Sequence, residues 1–250
     1  MTLIFSFSNI NTSFGTDPNL PRWQVGNWWK FNVEYSGAIN LVGTQTFTVV
    51  SDNVDIFQNG QNFNCYQIDL IGGGTIFGTI NGNGVDGTWT LTETHYYTKT
   101  DLSWVKINSI YEETISDNAN SGGTLISTIQ DGITLNIITD LIYHPPFEAN
   151  KGFPLNIGKS WSAATTEILT TETTIGGYTE STTENDAYTK TFLVLRKELI
   201  TTPIGETETY VIKRTDPDGD YAETYYSSEV GTDIKAIEYD STRTIYMSME

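Results

Sequence analysis

Hydrophobic and polar residues alternate along most of the chain with a period of two. In residues 29–35 the aromatic residues and valine fall on one face, and Lys, Asn and Glu fall on the other. Residues 66–70 and 88–97 alternate in the same way, and residues 46–50 form a further candidate strand. Successive side chains of a strand point to opposite faces, so the pattern predicts half-buried strands. No window shows a helical stripe behind a capping box, so we predict an all-β fold.

Turn-forming residues separate these candidate strands. Glycine-rich segments at 72–74 and 81–84 punctuate the first half, and residues 216–219 (DPDG) have Pro and Gly where a turn favours them. Asp131-Gly132 predicts a hairpin, because this dipeptide readily adopts the positive φ angles of a two-residue turn. His144-Pro145-Pro146 is the best linker candidate, since proline lacks the N–H that a central strand needs.

Several short segments recur in the same order in the two halves of the chain. They predict a tandem duplication of an antiparallel curved-sheet module, with copies at 22–112 and 154–240 and the Asp131-Gly132 hairpin inserted between them. We therefore divide the chain into an amino-terminal arm (1–21), a first module with its inserted hairpin (22–145) and a second module (146–250). Two such sheets can form half-barrels, a closed barrel or a sandwich. The paired segments are 25–29 with 157–161, 46–49 with 191–194, 66–68 with 210–212, and 96–106 with 225–235.

The charge excludes some classes of partner. With 31 acidic and 13 basic residues the net charge is −18, which disfavours nucleic acids and anionic membrane surfaces. Cys65 is the only cysteine and stands in a strand, so it predicts a small buried side chain rather than a disulfide. No segment has the roughly 20 apolar residues of a membrane-spanning helix. Thr-rich strands, few lysines and many Asn and Gly favour an extracellular or cell-surface location.

The sequence contains no recognisable catalytic constellation. A nucleophile elbow, a phosphate-binding glycine loop and a zinc-protease motif are absent. His95 and His144 are isolated in sequence, and Thr224 stands opposite His95 in the second copy, so both histidines are predicted to be structural or surface residues. We therefore expect the protein not to be an enzyme.

Two residue sets are candidates for binding. Asp216, Asp218 and Asp220 alternate in a tight turn and could bind Ca²⁺, although the spacing also fits a plain hairpin. We otherwise expect no cofactor, and the calcium hypothesis predicts a melting temperature that rises with added Ca²⁺.

The aromatic residues supply the second set. Trp29 and Trp161 occupy matched positions and predict core packing, whereas Trp28 points to the opposite face and has Ser160 as its counterpart. Trp28 is therefore the leading ligand-binding candidate. The other candidates for an apolar site are Trp104, Tyr97 and Tyr226.

The second copy carries the most recognisable string. Residues 202–210 (TPIGETETY) precede 225–231 (YYSSEVG) and Lys235. This resembles a TPxGxxxTY…YYSxEVGxxxK signature of uncharacterised bacterial and archaeal envelope or surface proteins, which are loosely similar to the half-barrels of lipoprotein carriers. The first copy keeps Lys106 but has Asp101-Leu102 in place of the Val-Gly turn. The resemblance implies a curved-sheet fold, and any lipid handling would be an analogy of fold.

Three functional hypotheses follow. The first is a non-catalytic, exported or cell-surface protein that binds an apolar ligand or another surface component. The second is a structural subunit that self-assembles when the apolar segment 1–7 adds a strand to a neighbour. The third is a glycan-active hydrolase that uses scattered carboxylates.

Overall fold

The computed structural model describes residues 20–37, 39–80, 83–117, 133–150, 152–202, 205–239 and 244–249. Residues 1–19 of the predicted arm (1–21) and the Asp131-Gly132 turn lie outside these residues. The described residues form twelve strands: β1 (Trp28–Ser36), β2 (Ile39–Gln58), β3 (Gln61–Ile80), β4 (Asn83–Thr98), β5 (Trp104–Asp117), β6 (Ile133–Phe147), β7 (Ser160–Ile175), β8 (Tyr178–Thr202), β9 (Gly205–Thr215), β10 (Tyr221–Ser227), β11 (Thr232–Tyr239) and β12 (Thr244–Met249).

The twelve strands close into one antiparallel barrel. Each strand pairs with its neighbour in sequence, and β1 pairs with β12, where Tyr35 lies opposite Ile245. This confirms the prediction of an all-β fold built from curved antiparallel sheet. Of the three predicted arrangements, half-barrels, a closed barrel and a sandwich, the structure has the closed barrel. Within the described ranges, no helix is long and apolar enough to cross a membrane.

The alternation read from the sequence separates the inside of the barrel from the outside. On β1, Trp29, Phe31 and Tyr35 are buried in the interior, while Trp28 and Glu34 are exposed on the outer face. Inward-facing apolar side chains from β1 to β10 and from β12 join in one core. The hydrophobic effect on this inner face therefore fixes the register of the sheet.

The glycines at 72–74 do not form the predicted turn, because they lie inside β3. Gly74 pairs with Gly43 on β2, and a Cβ atom at either residue would collide with backbone of the other strand. The ring of Trp89 on β4 covers Gly43 and Gly72, so a side chain there would also displace the indole. These glycines permit a close approach of strands beneath a large ring.

The linker predicted at His144-Pro145-Pro146 is also wrong, because β6 continues through these residues to Phe147. The β5 ladder pairs Ile142 and Phe147 but skips the residues between them, and the β7 ladder ends at His144. The two prolines therefore occupy a stretch of β6 in which no ladder hydrogen bond is required.

The two halves of the barrel repeat the same turn before their first strands. Gly26 has a φ of 91° and its N–H donates to the carbonyl of Val49 at 2.8 Å. Gly158 has a φ of 82° and its N–H donates to the carbonyl of Val194 at the same distance. A positive φ favours glycine, which accounts for the Gly at both positions.

The later strands repeat as well. The ladder between β4 and β5 shifts register at Tyr96/Tyr97, and the ladder between β10 and β11 shifts at Tyr225/Tyr226. We call β1–β6 the first half and β7–β12 the second half. The expected copies stopped at residues 112 and 240, but a sixth strand follows in each half, and β6 and β12 each pair with the first strand of the other half.

Candidate functional site

A pocket lies inside the barrel where the second half meets the loop between β6 and β7. Its volume is about 60 Å³, room for on the order of four to six water molecules or an organic molecule of similar size. Its walls combine aromatic rings with a few polar groups. The lining residues are Trp104, Ala149, Asn150, Phe153, Trp161, Phe192, Ile212, Arg214, Thr224, Tyr226 and Asp233.

The loop after β6 forms one wall because β7 holds it in place. The indole N–H of Trp161 donates to the Ala149 carbonyl at 3.0 Å. Gly152 lies against one face of the Trp161 ring, where a Cβ would overlap it, and Phe192 stacks on that ring with centroids 5.0 Å apart. Trp161 is therefore fixed by packing and by a hydrogen bond.

Arg214 brings a positive charge to the pocket, but nearby carboxylates compensate for it. Its guanidinium bonds Asp216 at 3.0 Å and also pairs with Glu238. Lys190 pairs with the same Asp216 at 3.0 Å. The carboxylates raise the pKa of Arg214 and outweigh the opposing effect of burial. The four charges sum to zero, so this cluster adds no net charge to the wall.

Asp233 is the second charged residue of the pocket, and it has no such compensation. The Thr224 hydroxyl hydrogen-bonds its carboxylate, yet the surrounding protein desolvates the charged form and raises the pKa to about 8. Among the described residues, no Lys or Arg forms an ion pair with it. The residue as a whole is half-buried and borders the pocket. Asp233 is thus an acid without a cationic partner among the described residues.

The structure separates the four predicted ligand-binding residues. Trp104 and Tyr226 line the pocket together. Tyr97 is buried behind it and packs edge-on against Trp104, with centroids 6.3 Å apart. Trp28 lies on the outer face of β1 with 63% of its surface exposed, and it is not among the residues that line the pocket.

The predicted calcium residues form the turn between β9 and β10. The Asp216 and Asp220 backbones hydrogen-bond across this turn at 2.8 Å, and the Asp218 carboxylate accepts from the Asp220 N–H. The Asp216 carboxylate is bonded to Arg214 and Lys190, so a cation there would compete with both. In the part of the chain that the structure describes, no three His, Cys, Asp or Glu side chains group as metal ligands would.

The first half contains a buried polar chain that the sequence did not reveal. His95 Nε2 lies 2.6 Å from a Glu93 oxygen, and His95 Nδ1 lies 3.1 Å from the Tyr97 hydroxyl. Glu93 and His95 are each 1% exposed. Their i, i+2 spacing on β4 places all three side chains on the inner face, which is the signal that could have found them. All three side chains are buried in the core.

Sequence reasoning also missed Arg214, Asp233, Phe153 and Phe192. The matched positions of the two halves contain a signal for Asp233, because the shared register shift places Tyr226 opposite Asp233 as it places Tyr97 opposite Trp104. A charged residue that replaces a core tryptophan marks a change of role. Phe153 lies in a loop, where periodicity gives no information.

No family model, curated protein or solved structure matches the chain. The resemblance to envelope and surface proteins therefore stays a prediction.

Proposed function

We propose that the protein is a non-catalytic binding protein, exported or displayed at the cell surface, that holds a small, partly apolar ligand in the pocket of its barrel. The observation that carries this proposal is the pocket itself, in which aromatic walls surround a few polar groups. Small-molecule sites commonly have this composition. The matched register of the two halves supports an origin by tandem duplication, after which one half acquired the site.

The size of the pocket limits the ligand. A volume of about 60 Å³ suits a molecule of a few non-hydrogen atoms and is too small for an acyl chain. The apolar ligand expected from the sequence is therefore proposed to be a compact molecule.

The corresponding region of the first half explains why only one such pocket is proposed. There the position of Asp233 is taken by Trp104, and the position of Thr224 by His95. Both are large rings packed in the core, and His95 stacks on Tyr97 with centroids 6.0 Å apart. Larger side chains fill the interior of the first half, and smaller polar ones leave room in the second.

The test compares two possible binding surfaces. Ala149→Leu adds bulk to the pocket wall and keeps the backbone carbonyl that Trp161 bonds. Trp28→Ala removes the exposed ring on the outer face and leaves the pocket unchanged. Native mass spectrometry of gently purified protein, followed by ligand-observed NMR with small alcohols, acids and amines, measures binding to the wild type and to both variants.

The proposal expects a small adduct or a bound probe in the wild type and in Trp28→Ala, and loss of binding in Ala149→Leu. Loss in Trp28→Ala with binding retained in Ala149→Leu would move the site to the outer face of β1. The absence of any bound molecule in every variant would contradict a ligand-binding function.

The structural-subunit hypothesis keeps a separate test. Two stretches of the described barrel keep a free edge: residues 178–190 of β8 pair with β7 alone, and residues 50–58 of β2 pair with β3 alone. The apolar segment 1–7 of a neighbour would have to pair with such an edge. Deleting residues 1–14 should then abolish multimers in native mass spectrometry, and multimers that survive the deletion would exclude this function.

A further inference from the structure

We infer that the pocket takes a small organic cation, namely an ammonium group that carries a few methyl or methylene substituents. This inference rests on the proposed function, because it assigns a chemical class to the ligand of the same pocket. Three features of the described pocket wall point to it: a carboxylate that no described basic residue pairs with, a set of aromatic rings and, among the other described side chains, a neutral charge balance.

Asp233 is the first feature. Its carboxylate borders the pocket beside Thr224 and Tyr226, and no basic residue in the described chain pairs with it. A desolvated carboxylate is costly to ionise unless a positive charge accompanies it. A cationic ligand would supply that charge, so Asp233 and the ligand would stabilise each other.

The aromatic rings are the second feature. Trp104, Phe153 and Tyr226 border the same space as Asp233, and Phe153 packs edge-on to Tyr226 with centroids 5.0 Å apart. Aromatic faces attract organic cations, and rings combined with a carboxylate form a recurrent ammonium site. A neutral ligand of equal size would gain only the apolar contact.

The remaining charges are the third feature. Arg214 would repel a cation if it were unpaired, but Asp216 and Glu238 both bond it. The whole chain carries a net charge of −18, which raises the local concentration of cations and lowers that of anions. An anionic ligand would meet this field as well as Asp233.

Asp233 is the group expected to control the pH dependence. Among the described residues, the titratable or charged groups around it are Tyr226 on β10, Tyr97 on β4 and Arg214 on β9. Burial raises the pKa of both tyrosines, so they stay neutral at pH 6 to 9, and Arg214 stays charged. Lys235 Nζ lies 4.5 Å from the centroid of the Tyr225 ring, and Lys235 is not among the residues that line the pocket.

The experiment uses two probes of the same size. Tetramethylammonium carries a permanent charge, and tert-butanol is a neutral molecule of similar shape. Each is titrated into the full-length protein at pH 6 and pH 9 and followed by ligand-observed NMR. The variants are Asp233→Asn, which removes the pocket charge at nearly constant shape, and Asp218→Asn, which removes a charge from the exposed β9–β10 turn.

We expect tetramethylammonium to bind the wild type at least about tenfold more tightly at pH 9 than at pH 6, because binding requires ionised Asp233. Asp233→Asn should remove both the tight binding and its pH dependence, whereas Asp218→Asn should retain both. Ala149→Leu should block either probe.

The other outcomes overturn the inference in distinguishable ways. If tert-butanol binds as tightly as tetramethylammonium, or if Asp233→Asn binds the cation normally, the pocket is a ligand site without cation selectivity. If Asp218→Asn loses as much affinity for tetramethylammonium as Asp233→Asn does, the affinity comes from the net charge of the protein and not from the pocket carboxylate. If neither probe binds the wild type while another small alcohol, acid or amine does, the inference fails and the proposed function stands. If no molecule binds, both fail.

Discussion

The two halves of the barrel share a frame, by which we mean their matched turns and strand pairings. They differ in the side chains that fill the interior. Gly26 and Gly158 make the same turn and the same hydrogen bond, and Trp29 and Trp161 follow on the inner face. Behind this frame, the first half packs large rings and a buried Glu93–His95 pair. The second half has smaller side chains at the matched positions and keeps a pocket. Shared positions therefore maintain the barrel, and differing positions determine where a ligand fits.

The buried pair of the first half gives the largest expected effect. His95→Thr installs the residue found at the matched position of the second half and leaves Glu93 buried, with one oxygen that already lacks a hydrogen bond. Breaking such a pair should lower the free energy of unfolding by about 3–5 kcal/mol. Urea denaturation measures this loss.

The control follows from the same comparison. Ala222 occupies the position of the second half that matches Glu93 in the first. The double variant Glu93→Ala/His95→Thr therefore also removes the carboxylate that His95→Thr leaves without its partner. It should be more stable than His95→Thr alone. A double variant that is less stable than the single one would show that the pair is not the energetic unit we describe.

The second-largest expected effect is the loss of stability when either matched tryptophan is replaced, and the two losses should differ. Trp29 is 3% exposed in the core, and Trp29→Ala should cost about 3–5 kcal/mol. Trp161 lines the pocket and is only partly buried, so Trp161→Ala should cost about 2 kcal/mol. Equal losses in chemical denaturation would mean that the pocket wall is as tightly packed as the core.

Asp233 makes a prediction about pH and stability. Its pKa is about 8 in the folded protein against 3.8 for an unperturbed aspartate, so the folded state binds the proton more tightly. The associated stability is present below pH 4 and is lost as the pH rises to 8, by at most about 1.4 kcal/mol per pH unit.

Asp233→Asn lacks this titration, so the variant should become progressively more stable than the wild type between pH 4 and pH 8. Thermal unfolding at several pH values measures the difference, with Asp218→Asn as the exposed control. Parallel pH profiles for wild type and Asp233→Asn would contradict a desolvated carboxylate at this position.

The two glycine turns give the smallest expected effect. A Cβ atom at Gly26 or Gly158 meets no atom within 4 Å, so Gly→Ala at either position introduces backbone strain alone. Each substitution should cost about 1–2 kcal/mol, because φ is positive at both. Melting temperatures that fall by similar amounts would support the equivalence of the turns, and a clear inequality would oppose it.

The sequence was sufficient to predict the strands, since the alternation of hydrophobic and polar residues indicates which face of each strand is buried. It was also sufficient to predict the matched segments, because the turn at Gly26 and the Tyr-Tyr register shift impose specific residues. It could not predict closure, because β6 and β12 share no recognisable segment and closure depends on pairing between distant strands. The turn predicted from the glycines at 72–74 is wrong, because glycine is used both in turns and where two strands approach closely.

The site was less predictable than the fold. Trp104 and Tyr226 were proposed from their residue type, and both line the pocket. Phe153 and Arg214 could not be predicted, because the first lies in a loop and the second depends on charges from β8, β11 and the turn between β9 and β10. A pocket is the space that packed side chains leave empty. The sequence specifies the side chains but not how they pack in three dimensions.

The exchange of strands between the halves has a consequence for cooperativity. Because β6 pairs with β7 and β12 pairs with β1, separating the halves would open two seams at once and expose four strand edges to water. Neither half can melt while the other keeps its full complement of backbone hydrogen bonds. Despite its repeated frame, the chain should unfold as a single unit.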